Sequence, residues 1–261
     1  MKKQKTIFFG DELNDEFSKA KITPRRIDGE YRYCYDGFLG ELTHFFWYRI
    51  IFTPIAFVYN KVMFRHKIIG REVFDGFKDR GYFIYGNHTQ DIGDAFMPNF
   101  VNFPKHNYIV VHANNVSMPL LGRITPSLGA LPLPDDMTAY KNFLAAIERG
   151  ISEKKGIIIY PEAHIWPYYT GIRPFKDDSF YYPVKLNSPC FCFTNTYQRR
   201  KHSIRPRIVT YVDGPFYPDK NLSVRKQRED LRNRIYRCMT ERAKCSDIEI
   251  IRYIKKEEEN G

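Results

Sequence analysis

Short apolar runs bounded by turn-forming residues recur along the middle of the chain. They are rich in β-branched and aromatic side chains, which is typical of buried strands. The five clearest runs occupy residues 82–85, 108–111, 157–160, 191–196 and 208–212. Residues 67–70 and 129–134 have the pattern of shorter extended segments. The middle of the chain therefore predicts a sheet.

Segments with helical periodicity lie between and after these runs. One has its apolar positions at Tyr140, Phe143, Leu144, Ile147 and Ile151, and either Asp135 or Asp136 is placed to cap it. The charged tail, residues 223–256, repeats Leu231, Ile235 and Met239 at helical spacing, which predicts a docked amphipathic helix. Strands alternating with such helices indicate an α/β fold, with a mixed, mostly parallel sheet flanked by helices.

The most apolar stretch, residues 41–64, is dense in aromatic side chains. It is shorter than the run of about 20 apolar residues that spans a bilayer, and it contains Arg49 and Pro54. Lys61, Arg65, His66 and Lys67 occur at its end. Aromatic residues beside cations are typical of a helix that lies in the headgroup region of a membrane, whereas a short apolar run is also typical of a helix docked on a protein core. Both interpretations remain open at this point.

No repeat or low-complexity linker divides the chain. Residues 1–64 are interpreted as an N-terminal arm, either surface-hugging or partly disordered, followed by the membrane-associating helix. Residues 65–261 form the α/β domain, and the two parts are expected to make one structural unit.

Charge and cysteine content limit the partners and the compartment. A formal charge of +11 and a pI near 9.3 indicate an acidic partner: nucleic acid, anionic lipid or a phosphorylated ligand. The cysteines are odd in number and lack the spacing of a zinc site, so no metal is expected: Cys34, Cys190, Cys192, Cys238 and Cys245. No apolar leader follows the charged N-terminus, which predicts a cytoplasmic setting.

The strongest candidate for chemistry is the stretch 86–94, which follows the first apolar run. It places His88 just after a predicted strand, followed by two acids about one helical turn apart, Asp91 and Asp94. Ligands in open α/β sheets bind outside the carboxyl ends of strands. A histidine oriented by an aspartate is equipped to take a proton from a hydroxyl, so His88 is predicted to be a general base. A second polar group, Glu162, ends another predicted strand in the sequence Tyr-Pro-Glu.

These two strand ends resemble the glycerolipid acyltransferases of the lysophosphatidic acid acyltransferase type. That family has the motif Asn-His-x-x-x-x-Asp, matched here by Asn87-His88 and a following Asp, and a later motif Phe-Pro-Glu-Gly-Thr, matched by Tyr160-Pro161-Glu162. Residues 119–122, 128–133 and Phe175-Lys176 are also similar to family stretches. The resemblance covers roughly residues 65–215.

The resemblance implies transfer of a fatty acyl group from a thioester, of coenzyme A or of acyl carrier protein, to a hydroxyl of a lysophospholipid or related acceptor. His88 would be the base, an aspartate would orient it, and Asn87 and Glu162 would help to form the acceptor site. The thioester is a co-substrate, and no resident cofactor is implied. The expected location is the cytoplasmic face of the membrane, as a peripheral or monotopic protein.

Several positions depart from the family pattern. Gly93 occupies the position of the family's Asp, so Asp94, one residue later, is the preferred partner of His88, with Asp91 as the alternative. Asp135-Asp136 stands where the family has a phosphate-binding Arg, and the expected upstream Lys falls near Ala113-Asn114. Ala163-His164 replaces Gly-Thr. Either the cations that bind an acceptor phosphate come from elsewhere, with Arg123, Arg173 and Lys176 as candidates, or the acceptor lacks that phosphate.

Two other classes of function compete with acyl transfer. A metal-dependent hydrolase would use His88 with Asp91 and Asp94, joined by His112 and Glu162 as further ligands. A nucleic-acid-binding protein would use the basic charge, but the Lys and Arg residues are dispersed and no aromatic recognition motif accompanies them. The preferred interpretation has a membrane surface and an acyl thioester as partners, and no nucleic acid.

Overall fold

The computed structural model describes residues 4–17, 22–33, 37–119, 122 and 124–256. Within these ranges nine strands are seen: β1 Lys5–Phe9, β2 Lys67–Ile69, β3 Tyr82–Gly86, β4 Asn107–Val111, β5 Ala130–Pro132, β6 Gly156–Ile159, β7 Cys190–Gln198, β8 Arg207–Phe216 and β9 Ile251–Lys255. The α-helices are α1 Phe38–Phe45, α2 Thr53–Val58, α3 Gly93–Phe96, α4 Ala113–Ser117, α5 Met137–Ser152, α6 Tyr181–Leu186 and α7 Val224–Ala243. In the described residues, 3₁₀ turns occur at Arg71–Phe77, Met97–Asn99, Thr125–Leu128 and Asp178–Phe180.

Seven strands form one sheet in the order β2-β8-β7-β3-β6-β4-β5. Within it β8 is antiparallel to β7, and the other five described pairs of neighbours are parallel. The predicted α/β fold with a mixed, mostly parallel sheet is therefore confirmed. All five predicted strands are present, and β3 lies at the centre between β6 and β7.

The apolar runs read as continuous because both faces of the sheet are covered. Along β3, Phe83 and Tyr85 face the layer that contains α5 and α7, where they pack in one core cluster with Phe143 and Leu231. The alternate residue Ile84 belongs to the opposite cluster, with the segment that follows α3. A strand buried on both faces has little freedom to shift register, since one residue of slip exchanges the two faces. The carboxyl end of β3 is fixed in this way.

Helix α5 begins where its capping residue predicts. Asp136 Oδ1 accepts hydrogen bonds from the backbone N–H groups of Thr138 (3.0 Å) and Ala139 (2.8 Å). The neighbouring Asp135 does not cap the helix. Its Oδ2 accepts a hydrogen bond from Ile27 N at 2.7 Å and so binds part of the N-terminal arm. Both carboxylates at the position of the family's arginine therefore accept hydrogen bonds from the protein's own main chain.

The aromatic stretch forms one continuous helical segment, residues 38–63, which we call the aromatic helix. It consists of α1, a π-helical part Phe46–Phe52, α2, and a second π-helical part Tyr59–Met63. Its inner side docks on the domain through Tyr48, Ala56 and Asn60, which are buried. Its outer side exposes Phe38, Leu39, Leu42, Phe45, Phe46, Ile50, Ile55, Val58 and Val62. Among the described residues, none of the helices combines the length and the apolar character needed to cross a bilayer.

The two ends of the chain meet in a second, two-stranded sheet. β1 pairs in parallel with β9, from Lys5 opposite Ile251 to Phe9 opposite Lys255. The prediction that the tail remains helical as far as residue 256 is wrong, because α7 ends at Ala243 and the chain then forms β9. Tertiary pairing decided this, since β9 gains its hydrogen bonds from a strand almost 250 residues away, which no local periodicity can reveal.

Trp166 attaches this small sheet to the main domain. Its ring is fully buried and contacts Phe9 (4.7 Å between centroids), Phe17 (5.3 Å) and Tyr253 (4.8 Å). The Trp166 indole N–H donates to Asp15 O at 2.8 Å. The described part of the arm is therefore ordered against the loop that follows Glu162.

We predict that Trp166→Ala lowers the free energy of unfolding by about 3–5 kcal/mol, because it empties a fully enclosed aromatic site. Urea unfolding measures this loss, and hydrogen exchange should become faster in β1 and β9. Trp47→Ala is the matched control, since Trp47 is the other tryptophan of the chain and is only partly buried. Equal losses from the two substitutions would show that Trp166 has no special role in holding the small sheet.

Candidate active site

His88 lies two residues beyond β3 and is paired with a buried carboxylate. Its Nδ1 is 2.8 Å from Asp94 Oδ2, and Asp94 is 2% exposed. Gln90 N donates to the same oxygen at 2.9 Å. Burial raises the pKa of Asp94, while the hydrogen bond from His88 acts in the opposite direction. With Nδ1–H donated to Asp94, Nε2 of His88 is the nitrogen that can accept a proton.

The geometry discriminates between the two predicted aspartates. Asp94 contacts His88, whereas the side chain of Asp91 is exposed on the outer part of the loop. Gly93 explains the extra residue before Asp94, because a Cβ on Gly93 would overlap the side chain of Gln90. Glycine at this position leaves room for the Gln90 side chain, and Asp94 is buried in α3.

Tyr160, at the end of β6, supports both members of the pair. Its ring stacks on the His88 imidazole with centroids 4.5 Å apart, and its hydroxyl donates to Asp94 O at 2.8 Å. The hydroxyl is the part of this residue that the family's phenylalanine lacks. The hydroxyl holds the backbone of Asp94, and the aromatic ring restricts the plane of the His88 imidazole.

Glu162 joins the two strand-end loops. It is 3% exposed; its Oε2 accepts from His88 N at 3.2 Å and its Oε1 accepts from Arg173 N at 3.1 Å. Burial raises the pKa of Glu162, and the charge of Arg173 opposes that effect. Two backbone hydrogen bonds extend the contact, from Trp166 N to His88 O (3.2 Å) and from Tyr168 N to Thr89 O (2.8 Å). The structure thus brings together the two sequence motifs that suggested a common site.

Arg173 is enclosed by protein. Its guanidinium donates to Glu162 O (3.0 Å), His164 O and Glu12 O (3.2 Å), and the residue is 1% exposed. It also lies over the Trp166 ring at 4.9 Å. In this position Arg173 holds the loop and the arm together. Both terminal NH2 groups of the guanidinium donate to main-chain carbonyls, so the described structure assigns Arg173 a structural contact, and its predicted role in substrate binding stays a prediction.

The other predicted binding residues differ in their placement. Asn87 is buried and spans to β7, donating to Asn195 O (3.1 Å) and accepting from Asn195 N (2.8 Å), so it positions the loop rather than facing solvent. Lys176 is exposed, and within the described ranges it makes no contact with His88, Asp94 or Glu162. Arg123 lies outside the described residues.

Polar residues of β7 are the partners that sequence reasoning missed. Asn195 binds Asn87, and the hydroxyl of Tyr197 lies 2.7 Å from Thr89 Oγ1. Residues 194–196 place three polar side chains inside a strand that is otherwise apolar. The bond to the His88 loop uses the main chain of Asn195, whereas the side chains bind the neighbouring strand: Thr196 Oγ1 donates to Val209 O (2.8 Å) and Asn195 Oδ1 accepts from Thr210 Oγ1 (2.6 Å).

The described residues offer no ligand set for a metal at His88. One group of three potential ligands is seen among them, Cys192, Asp213 and Cys238, and it does not include the candidate site. Arg242 contacts both carboxylate oxygens of Asp213, at 2.5 Å and 2.9 Å. His112, which the hydrolase interpretation would use, caps α4 by accepting from Asn114 N at 3.3 Å.

A cavity of about 1010 Å³ lies at the opposite edge of the sheet. Its walls include Tyr82, Tyr108 and Lys155, which stand at or near the amino ends of their strands, and His44 of the aromatic helix. It contains none of the residues that surround His88. Position therefore separates this cavity from the candidate active site.

Ala163 adopts the left-handed conformation that the family's motif assigns to glycine. Its φ is 64°, which costs an L-residue roughly 1–2 kcal/mol. We predict that Ala163→Gly raises the free energy of unfolding by about 0.5–1 kcal/mol, with the flexibility of glycine offsetting part of the relief. Urea unfolding measures the change. Ala145→Gly in the exposed part of α5 is the control and should lower stability by about 1 kcal/mol. The same sign for both substitutions would contradict the assignment.

Comparison with known proteins supports the fold. No protein-family model matches the chain, and no curated protein sequence matches it. Among solved structures, it is similar to the crystal structure of the 1-acyl-sn-glycerophosphate (LPA) acyltransferase PlsC from Thermotoga maritima. The TM-score is 0.54 at 17% sequence identity, and the match covers 74% of this chain and 77% of that one. This protein therefore has the fold of a glycerolipid acyltransferase.

Proposed function

We propose that the protein is an O-acyltransferase that moves a fatty acyl group from a thioester to a hydroxyl of a lysophospholipid or related lipid. The observation that carries the proposal is the 2.8 Å contact between His88 Nδ1 and the buried Asp94. This pair lies at the carboxyl edge of a sheet whose fold resembles that of an LPA acyltransferase structure. The separate likeness of the two motifs to the family's supports the same activity.

In the proposed reaction, the acceptor hydroxyl attacks the carbonyl carbon of the thioester and its proton passes to Nε2 of His88. Asp94 holds the imidazole in the required tautomer and stabilises the imidazolium that forms. Collapse of the tetrahedral intermediate breaks the carbon–sulfur bond. The leaving thiolate recovers the proton, so the products are an ester and a free thiol. The donor is a thioester of coenzyme A or acyl carrier protein, and the chain's own residues need no resident cofactor for these steps.

Tyr160 and Glu162 position this machinery. Stacking on Tyr160 restricts the ring of His88, and Glu162 holds the main chain of the same residue. Both contacts are made by residues of the fold itself, which hold the base in one position. Preorganisation of this kind lowers the cost of aligning two substrates.

We further propose that the protein acts at the cytoplasmic surface of a membrane as a peripheral or monotopic enzyme. The outer side of the aromatic helix carries a row of exposed apolar side chains along its whole length. Its inner side reaches the catalytic loop, because Tyr59 and Phe52 contact Phe96 of α3 at 5.1 Å and 6.3 Å. A bilayer against that outer side would bring lipid acceptors close to His88.

The catalytic pair is tested by substitution. His88→Ala should reduce acyl transfer by about 10²–10⁴-fold, because the base is lost, and Asp94→Asn should cause a large loss as well. Asp91→Asn is the control, and we expect it to retain activity. Transfer of labelled acyl groups to a panel of lysolipids measures these effects, with circular dichroism to verify folding. Full activity of His88→Ala would refute the mechanism, and inhibition by a chelator would revive the hydrolase interpretation.

The membrane surface is tested by placing charge on the aromatic helix. Leu39→Asp combined with Ile50→Asp should strongly weaken binding to vesicles of any headgroup, because both exposed side chains enter the apolar layer in the proposal. Vesicle co-sedimentation measures binding. Val224→Asp is the control, since Val224 is exposed at the start of α7. Unchanged binding of the double variant would contradict a membrane role for the helix.

A further inference from the structure

The loop between β7 and β8, residues 199–206, extends from the same edge of the sheet as His88. β7 runs parallel to β3, with Gly86 opposite Phe193, and continues to Gln198. Its last residues accompany the catalytic loop, since Asn195 binds Asn87 and Tyr197 binds Thr89. The next eight residues therefore project beyond the candidate site before β8 begins at Arg207.

This loop is strongly basic. It reads Arg-Arg-Lys-His-Ser-Ile-Arg-Pro and contains no carboxylate. The side chains of Arg199, Lys201, His202 and Arg205 are exposed. Within the part of the chain that the structure describes, no ion pair joins Arg199, Arg200, Lys201 or Arg205 to an acid. The basic residues around the cavity at the other edge differ, since Arg149, Lys154 and Lys155 are paired with Glu153, Asp79 and Glu153.

An apolar tip accompanies the cations. Ile204 is 84% exposed, and the neighbouring end of the aromatic helix exposes Val62. The loop is attached there, because Arg200 donates to Met63 O at 3.1 Å and Arg205 reaches Met63 Sδ at 2.9 Å. The loop and the outer side of the aromatic helix consequently form one continuous surface.

The positive charge of Arg205 in this loop acts on Tyr168, which lies beside the loop that carries His88. Burial raises the pKa of Tyr168, Asp91 raises it further, and the positive charge of Arg205 lowers it. Tyr168 in turn lies against Tyr197 (5.4 Å between centroids) and donates its backbone N–H to Thr89. Arg205 therefore stands within electrostatic range of the Tyr168 hydroxyl.

We propose that the β7–β8 loop docks on the phosphate-bearing headgroups of an anionic bilayer, with Ile204 entering the apolar layer beside the aromatic helix. Unpaired arginine and lysine side chains complement phosphate oxygens, and an exposed aliphatic side chain among them suits the headgroup boundary. The contact would place the loop that carries His88 near the lipid surface. This inference rests on the proposed function, because it assumes that the enzyme works on a membrane.

The test compares two pairs of cations. Lys201→Ala with Arg205→Ala removes charge from the loop, whereas Arg225→Ala with Lys226→Ala removes the same charge from exposed positions at the start of α7. Because β8 runs antiparallel to β7, α7 begins at the opposite edge of the sheet. Co-sedimentation is measured with vesicles of phosphatidylcholine alone and of phosphatidylcholine with phosphatidylglycerol, at several salt concentrations.

The loop variant should bind the anionic vesicles about 30-fold more weakly than the wild type, since each cation near such a surface contributes roughly fivefold. Its binding to phosphatidylcholine should be unchanged, and the control pair should show little loss. The charge-conserving variant Lys201→Arg with Arg205→Lys should bind the anionic vesicles about as tightly as the wild type. Equal affinity of the wild type and the loop variant for anionic vesicles would overturn the proposal, as would an equal loss on both vesicle types.

Two further readouts separate this inference from the proposed function. If vesicle binding is intact but the loop variant raises KM for a monomeric, phosphate-bearing acceptor, the loop contacts the acceptor and not the bilayer, which overturns the docking proposal. The wild type could lack acyl transfer while the loop variant still binds anionic vesicles more weakly than the wild type. In that case the docking contact stands and the proposed activity fails. The Leu39→Asp and Ile50→Asp variant reports on the helix through its binding to phosphatidylcholine vesicles, which have no net charge.

Discussion

The buried carboxylate of Glu162 is the contact on which the arrangement of the candidate site depends. It accepts hydrogen bonds from the main chain of His88 and of Arg173, so it fixes two loops that follow different strands. Arg173 then ties the second loop to the N-terminal arm through Glu12. The Arg173 guanidinium also lies 3.8 Å from Glu162 Oε2. Removing one partner of such a buried ion pair typically costs about 3–5 kcal/mol, because the other charge is left without compensation. The geometry of the candidate site and the docking of the arm are thus coupled through one charged pair.

The two edges of the sheet use basic charge in different ways. At the amino edge Arg149 and Lys155 beside the cavity are paired with Glu153, and Lys105 donates to three main-chain carbonyls. At the carboxyl edge the β7–β8 loop presents its cations to solvent beside an apolar surface. The formal charge of +11 is therefore a poor guide to a partner until its distribution is known. Only unpaired charge beside the site bears on what the protein binds.

Much of the fold was predictable because burial on both faces leaves a clear sequence pattern. Strands such as β3 and β6 are continuous apolar runs, and the capping of α5 by an aspartate is a local property. The pairing of His88 with Asp94 rather than Asp91 was preferred from the family's spacing, and the geometry places them in contact. The end of α7 was not predictable, because β9 depends on a partner at the other end of the chain. The charged tail carries helical spacing in both parts, so periodicity alone does not mark the change.

The fate of individual polar residues shows where sequence reasoning reaches its limit. Arg173 and Asn87 suggested substrate binding by their type and neighbourhood, but both are buried and bind the protein's own main chain. By itself, the sequence determined the strands, the helix caps and the histidine at a strand end, because these follow from local periodicity and spacing. The tertiary structure alone decided which cations stay unpaired and which side of the aromatic helix is exposed. Those outcomes depend on which distant segments meet, and burial then determines whether a polar group binds the protein or remains available to a ligand.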